Sequence, residues 1–417
     1  MGMTSKGGTA VKDLRTPTQG DFHAYADLAK KQGGHLSTLV QWSGNECTKA
    51  DGLDGLLIPL RPLVPDASTF FHGKFAQCQR GMGMISEKIH RTSAVYTETD
   101  QNVALRLRNL YPHASSHFPD LGAIPGLHRV GNFNDEEVEL KTPDSAEDDT
   151  SKNIEHQLWS LGWNSDLRGA DSIFKFCTGK SLVELLLTPL SGKYGRLLYL
   201  HNVYDALGDA AYTVTGTLRK GSWELGTEWT GEAATAFDSY LFNWTMGMGG
   251  VGDAAKEVAK FYKVGYETIV VLVHLALREI NKLINNEIKE LVKQTEEMAA
   301  GDATIEGIGL GPEDPLADAV AGFFTADKMY KIYKIVKYII TGITIIEGIY
   351  GKISDAVEAI NKGVHAIVEF SKAPEMPDIP SVSSLLDQVE QRGFAFEKSD
   401  GWNATLGAAR IGLLPAA

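Results

Sequence analysis

Apolar residues recur along most of this chain at alternating spacings of three and four, while strict alternation of apolar and polar residues is essentially absent. The first pattern covers one face of an α-helix, and the second is what a half-buried strand would need. The chain is therefore predicted to be all-α. Its clearest stripe is Phe71, Phe75, Cys78, Met82, Ile85, Ile89, Thr92 and Tyr96, the seam of a long helix packed against a helical partner. That partner is predicted over Phe22–Val40, where Phe22, Tyr25, Ala26, Ala29, Leu36 and Leu39 mark a shorter helix that Gly33-Gly34 would interrupt. Pro62 and Pro65 fall in the connection, and Asp66 or Ser68 could cap the second helix.

A second hairpin is predicted downstream. Ser181–Leu187 reads as helical until Pro189 and Gly192. Leu197, Leu200, Tyr204, Leu207, Ala211, Val214 and Leu218 then form a stripe predicted to stop near Gly221, with a new helix starting just past Trp229. Two long helical tracts follow, Asp253–Ala299 and Leu316–Ser371, the latter with Gly342, Gly348 and Gly351 as expected kinks. The expected architecture is an elongated helical bundle built from two hairpins plus two long tracts. Its expected divisions are a hairpin over 1–110, a linker over 111–154, a larger helical part over 155–372 and a proline-containing tail over 373–417. Tyr111–Asn153 carries four prolines and no helical periodicity, and Asp135–Asp149 holds eight acids against one base, −7 of the total −13.

Composition excludes several classes. A charge of −13 argues against a protein that coats nucleic acid. Ile269–Leu277 and Tyr338–Ile346 reach only about half a bilayer, so no spanning helix is expected. Met1–Asp21 is polar and lacks the apolar core of a Sec signal peptide. Cys47, Cys78 and Cys177 have no metal-ligand spacing, and a Cys47–Cys78 bridge is left open for an exported chain.

Enzymatic signatures are not met. Gly247-Met-Gly249-Gly250-Val-Gly252 matches the dinucleotide-binding glycine pattern, but that loop needs a preceding strand and here follows a helix. It reads instead as a flexible helix–helix joint. Gly179-Lys180-Ser181 resembles the end of a phosphate-binding loop, but Phe174 stands where the upstream glycine is required. No catalytic constellation, cofactor or metal site is expected.

The informative segment is Trp229-Thr230-Gly231-Glu232-Ala233-Ala234-Thr235-Ala236-Phe237. An indole there can close the open end of a hairpin, and Gly231 permits a tight turn. Ala233 and Ala234 let helices approach, and Phe237 returns to the seam a turn later. W-x-G alone is weak, and Trp42-Ser43-Gly44 is a second copy. In its setting, with Leu187-Thr188-Pro189-Leu190-Ser191-Gly192 and the Leu197–Leu218 stripe upstream, it resembles the WXG superfamily of type VII (ESX) secretion substrates. The resemblance is specific over about 181–248. It implies an export signal of the form Y-x-x-x-D/E after a helical hairpin, and Tyr96-Thr97-Glu98-Thr99-Asp100 occupies that place. Tyr96 and Asp100, one helical turn apart, would then present a joint surface to the secretion machinery.

A Y-x-x-x-D hairpin followed by a W-x-G hairpin is similar to EspB-like members, in which PE-like and PPE-like modules share one chain. The first hairpin also resembles the EspC-like kind. This likeness implies a non-enzymatic protein, secreted without a leader or held at the cell envelope, with the type VII machinery and a dedicated chaperone as partners and a tendency to homo-oligomerise. Two other readings stand beside it. The apolar stretches Val264–Leu277 and Tyr338–Ile353 could serve a membrane-surface or pore-forming protein, and the chain could be the delivery portion of a polymorphic toxin. The EspB-like reading also carries a geometric expectation. The Phe71–Tyr96 seam is too long for its interrupted partner, so the two hairpins should share a four-helix core with Tyr96 and Trp229 near the same end.

Overall fold

The computed structural model of the 417-residue chain describes residues 16–110, 133–143, 148–229, 232–301 and 326–370. It is all-α, with no strand among the described residues. Helix α1 is Gln19–Asn45 and α2 is Leu63–Leu110, joined through a short 3-10 turn at Gly55–Leu60. After the acidic stretch come α3 (Asp149–Gly162), α4 (Ser165–Thr178) and the short α5 (Leu182–Leu187). Helix α6 is Gly195–Gly226 and α7 is Glu232–Leu283. A π-helical turn at Ile284–Ile288 leads into α8 (Lys289–Gly301), and α9 is Ala326–Phe370. The 52 residues of α7 make a rod of about 78 Å.

Helix α1 opens with a capping box. The Thr18 hydroxyl accepts from the Asp21 amide at 3.2 Å, and the Asp21 carboxylate accepts from the Thr18 amide at 2.9 Å, which satisfies two donors that a helix start leaves bare. From there α1 runs unbroken through Gly33-Gly34, contrary to the sequence expectation. The reason is packing. A Cβ on Gly33 would lie 3.3 Å from the Met82 Cβ, so this glycine serves a close approach to α2, and the hairpin contact outweighs its poor helix propensity of about 1 kcal/mol.

The other glycine-based expectations are corrected in the same way. Helix α6 continues past Gly221 to Gly226, because Gly221 sits against Leu28 and Tyr25 of α1. The expected joint at Gly247–Gly252 is absent and α7 runs straight through it. There Gly208 of α6 and Gly252 of α7 cross so closely that a Cβ on Gly208 would stand 3.0 Å from the Gly252 carbonyl oxygen. Helix α9 is likewise continuous through Gly342, Gly348 and Gly351, and positions 316–325 of its expected tract lie outside the described residues. A side chain on Gly342 would collide with Leu283 of α7. Helix α2 begins at Leu63, upstream of both proposed caps, and the Ser68 hydroxyl instead donates to the Ser43 carbonyl at 2.6 Å.

The two hairpins share one core. Helices α1, α2, α6 and α7 each lie antiparallel to their neighbours, as paired contacts show: Gly33 meets Met82, and Gly44 meets His72. The Tyr25 hydroxyl donates to the Leu218 carbonyl at 3.0 Å, and Trp42 Nε1 donates to the Val203 carbonyl at 3.2 Å. Helix α9 covers the other side of α7, with Ile360 against Gly265 and Phe261 against Gly363. The Tyr350 hydroxyl donates to the Leu186 carbonyl of α5.

The acidic stretch is not a free linker where it is described. Phe133 lies edge-on to Tyr25 at 5.3 Å, and the Gln32 amide donates to the Asp135 carboxylate at 2.6 Å. Its end is already helical, since the Asp148 carboxylate caps α3 by accepting from the Ser151 amide at 2.8 Å. Burial would raise the Asp148 carboxyl, but hydrogen bonds from Tyr266 and Ser151 hold it below its ordinary value. Helices α3 and α4 were not read from the sequence, although Asp148 and Asn164 are good caps. The π turn lets Leu283 and Ile284, adjacent in sequence, both be buried, with Ile288 and Leu291 following.

Cys47 and Cys78 are buried free thiols and do not pair. The long apolar stretches of α7 and α9 bury one face against each other, while Val264, Val271, Tyr338 and Ile345 remain exposed. No helix among the described residues is long and apolar enough to cross a membrane.

The packing makes two testable statements. A Cβ on Gly81 of α2 would stand 2.2 Å from the fully buried Trp244 ring, whereas Gly83 faces open space. Gly81→Ala should therefore lower the thermal midpoint, costing about 1–3 kcal/mol, while Gly83→Ala should be neutral or raise it by up to about 1 kcal/mol. Equal effects would contradict the α2–α7 contact. Burial also raises Cys47, Cys78, Tyr204 and Tyr262 above their ordinary values of 9.0 and 10.0. For a raised group the stabilisation is complete below the ordinary value and is lost as pH climbs towards the folded one. The thermal midpoint should thus hold near about pH 8 and fall steadily towards about pH 11; a flat profile would refute this.

Candidate functional site

Four segments meet at one end of the four-helix core. The start of α1 brings Phe22 and Tyr25, which follow the Thr18 cap at once and are separated by three residues, so both face the core. The far half of α2 brings Tyr96, the last residue of its seam. The turn after α6 brings Trp229, and the first turns of α7 bring Ala233, Ala234 and Phe237. Trp229 is 3% exposed.

The rings interlock. Phe22 stacks on Tyr96 at 5.9 Å and meets Trp229 edge-on at 4.9 Å. Trp229 in turn stacks on Phe237 at 5.2 Å, and Phe237 meets Tyr25 edge-on at 5.6 Å. Phe133 completes the set against Tyr25. The Trp229 indole Nε1–H donates to the Tyr96 hydroxyl at 3.5 Å, across 133 positions of sequence. Edge and stacked pairs of this kind add about 0.5–1.5 kcal/mol each beyond the area they bury. Burial raises the Tyr25 hydroxyl far above its usual range, so its proton stays available for the Leu218 carbonyl.

The structure therefore brings Tyr96, Trp229 and Phe237 together, with Ala233 buried and Ala234 half-buried beside them. The small alanines leave room for α7 to start close to the indole. Gly231 lies outside the described residues. Asp100 continues the same helix one turn beyond Tyr96, and its side chain is outside the described residues. Of the two motif aromatics, Trp229 is sealed inside and Tyr96 is half-buried. Phe22, Tyr25 and Phe133 belong to the cluster but were not singled out from the sequence as site residues. The capping box immediately before Phe22 was the available signal for the first two; Phe133, in an acidic proline-bearing stretch, gave none.

The second W-x-G occupies the opposite end of the core. Trp42 is buried with its indole on α6, Ser43 is buried with its hydroxyl donating to the Val40 carbonyl at 2.8 Å, and a Cβ on Gly44 would stand 3.3 Å from His72 Nδ1.

The chemistry of other surface features is limited. A groove of about 570 Å³ between α3 and α7 is lined by Gln157, His274, Arg278, Asn281, Lys282, Asn285 and Asn286. His274 is turned to the Val270 carbonyl at 2.8 Å, the Lys282 ammonium donates to the Glu279 carboxylate at 2.7 Å, and the lining holds no carboxylate, hydroxyl or thiol. No group of three or more His, Cys, Asp or Glu that could hold a metal ion occurs among the described residues. Compared with known proteins, the chain matches no family model, no curated sequence and no solved structure.

The cluster is testable as a unit. Trp229→Ala should cost about 3–5 kcal/mol by leaving a cavity among four segments. Tyr96→Phe keeps the stack and loses one long hydrogen bond, for less than about 1 kcal/mol. In a double-mutant cycle by urea unfolding, Phe22→Ala and Trp229→Ala should be non-additive. Additive losses would mean that the rings do not act together.

Proposed function

We propose that this chain is a non-enzymatic substrate of a type VII secretion system, of the WXG superfamily and EspB-like in arrangement, acting as a secreted or envelope-associated interaction protein. The observation that carries the reading is the contact of Trp229 with Tyr96. A W-x-G turn and a Y-x-x-x-D helix, far apart in sequence, meet at one end of a shared four-helix core. In this reading the two motifs have different roles. Tyr96 and, one turn on, Asp100 are what the secretion machinery contacts. Trp229, Ala233, Ala234 and Phe237 are positioning residues that fix where the end of α2 stands.

This division of labour suits export of a folded protein. A signal read across two helices exists only while both hairpins are docked, so the machinery would sample the folded state and not a linear peptide. The long helices α7 and α9 supply an extended scaffold beyond the signal end, available for contacts after secretion.

Co-expression with a type VII system tests the proposal. Tyr96→Ala, Asp100→Ala and Trp229→Phe variants, each checked for retained helicity, are measured in culture supernatant and cell lysate. Tyr96→Ala and Asp100→Ala should accumulate in the lysate, while Trp229→Phe, which keeps an aromatic ring in place, should retain partial export. Undiminished secretion of a folded Tyr96→Ala or Asp100→Ala protein would remove this reading.

A further inference from the structure

From Lys328 to Ile346 the chain carries four lysines and no acid, in a protein of net charge −13. This run lies in the first half of α9, and the structure divides it cleanly. Ile332, Val336, Ile339, Ile343 and Ile346 are buried on the bundle side. The outward face presents Tyr330, Tyr333 and Tyr338, each more than half exposed, with Ile340 and Ile345 beside them. Lys334 and Lys337 lie exposed among these rings, and neither pairs with a carboxylate among the described residues. The face extends over the 16 residues from Tyr330 to Ile345, about 22 Å of helix.

We infer that this face docks flat on an anionic lipid bilayer. The chemistry argues for lipid over protein. Lysine is depleted in protein–protein interfaces, whereas tyrosine and lysine together suit the headgroup layer. The phenol places its ring among acyl carbons and its hydroxyl in water, and the lysine stem snorkels. The stripe is a single convex helix, which a deformable surface can receive. Charge fixes the orientation. The acidic stretch lies along α1 and α6, where Asp135 meets Gln32 and Glu136 meets Lys220, so an anionic surface repels that side and attracts α9. No helix among the described residues is suited to span a membrane; the contact is peripheral. The inference is independent of the secretion reading, because it uses none of Tyr96, Asp100 or Trp229.

Co-sedimentation of the full chain with vesicles tests it, using phosphatidylcholine alone or phosphatidylcholine with about one third phosphatidylglycerol. Binding is expected to the second only, and to weaken as salt is raised. At about 1 kcal/mol per lysine near such a surface, Lys334→Gln with Lys337→Gln should weaken partitioning about thirty-fold. Tyr333→Ser with Tyr338→Ser should also lower it, and neither pair should shift the thermal midpoint, because all four side chains are exposed. Absence of binding to anionic vesicles would overturn the inference, as would equal binding to both vesicles or an unaffected lysine double variant. A lysine double variant that instead loses self-association, measured by light scattering, would reassign the face to contact between copies of the chain.

Discussion

The structure depends on two buried tryptophans that tie its hairpins together from opposite directions. Trp42 leaves the first hairpin and places its indole on the Val203 carbonyl of the second. Trp229 leaves the second hairpin and inserts beside Phe22 and Tyr96 of the first. Phe22 and Trp42 are twenty residues apart on α1, so the ties are separated by about 30 Å of helix. Between them the seam of α2 meets α7, and the face of α6 meets α1. Each tie joins a large apolar surface to a directional hydrogen bond. The surface supplies the stability, and the bond sets the register in which one hairpin lies on the other.

Much of this was legible in the sequence because burial in a helical bundle imposes a period. The Phe71–Tyr96 stripe is buried through to Thr92, and its last residue lies beside Trp229. The expected mismatch with a short partner did not hold, since α1 is unbroken and meets α2 from His72 to Tyr96; the second hairpin joins the same core through contacts such as Gly81 with Trp244. What was not legible is instructive in physical terms. The interruptions assigned to Gly33-Gly34, Gly221 and Gly247–Gly252 were wrong, because propensity weighs a residue alone, while the break at Pro189 and Gly192 stands between α5 and α6. Gly33, Gly221 and Gly252 stand where another helix comes too near for a side chain, and the energy gained by that approach appears only in three dimensions. Phe133 was missed for the converse reason: a single ring in an acidic, proline-bearing stretch has no neighbours of its own period, and its partner Tyr25 lies far upstream.

The surface separates charge as cleanly as the core separates polarity. Carboxylates of the 133–143 stretch ride on α1 and α6, where Gln32, His35 and Lys220 receive them. Lysines gather on the outer face of α9. Charge set apart in this way steers the approach of a charged plane or partner before contact is made.

The π turn at Ile284–Ile288 has a consequence for heredity. Such a turn holds one residue more than the α turn it replaces, so α7 and α8 are out of phase by a single inserted amino acid. Losing one codon there would restore a regular helix but rotate Ile288 and Leu291, both buried, by about 100° relative to the helix before them. Gains and losses of single residues are ordinarily absorbed in loops. Here the extra residue of the π turn lies inside a packed helix, next to the buried Ile284 and Ile288.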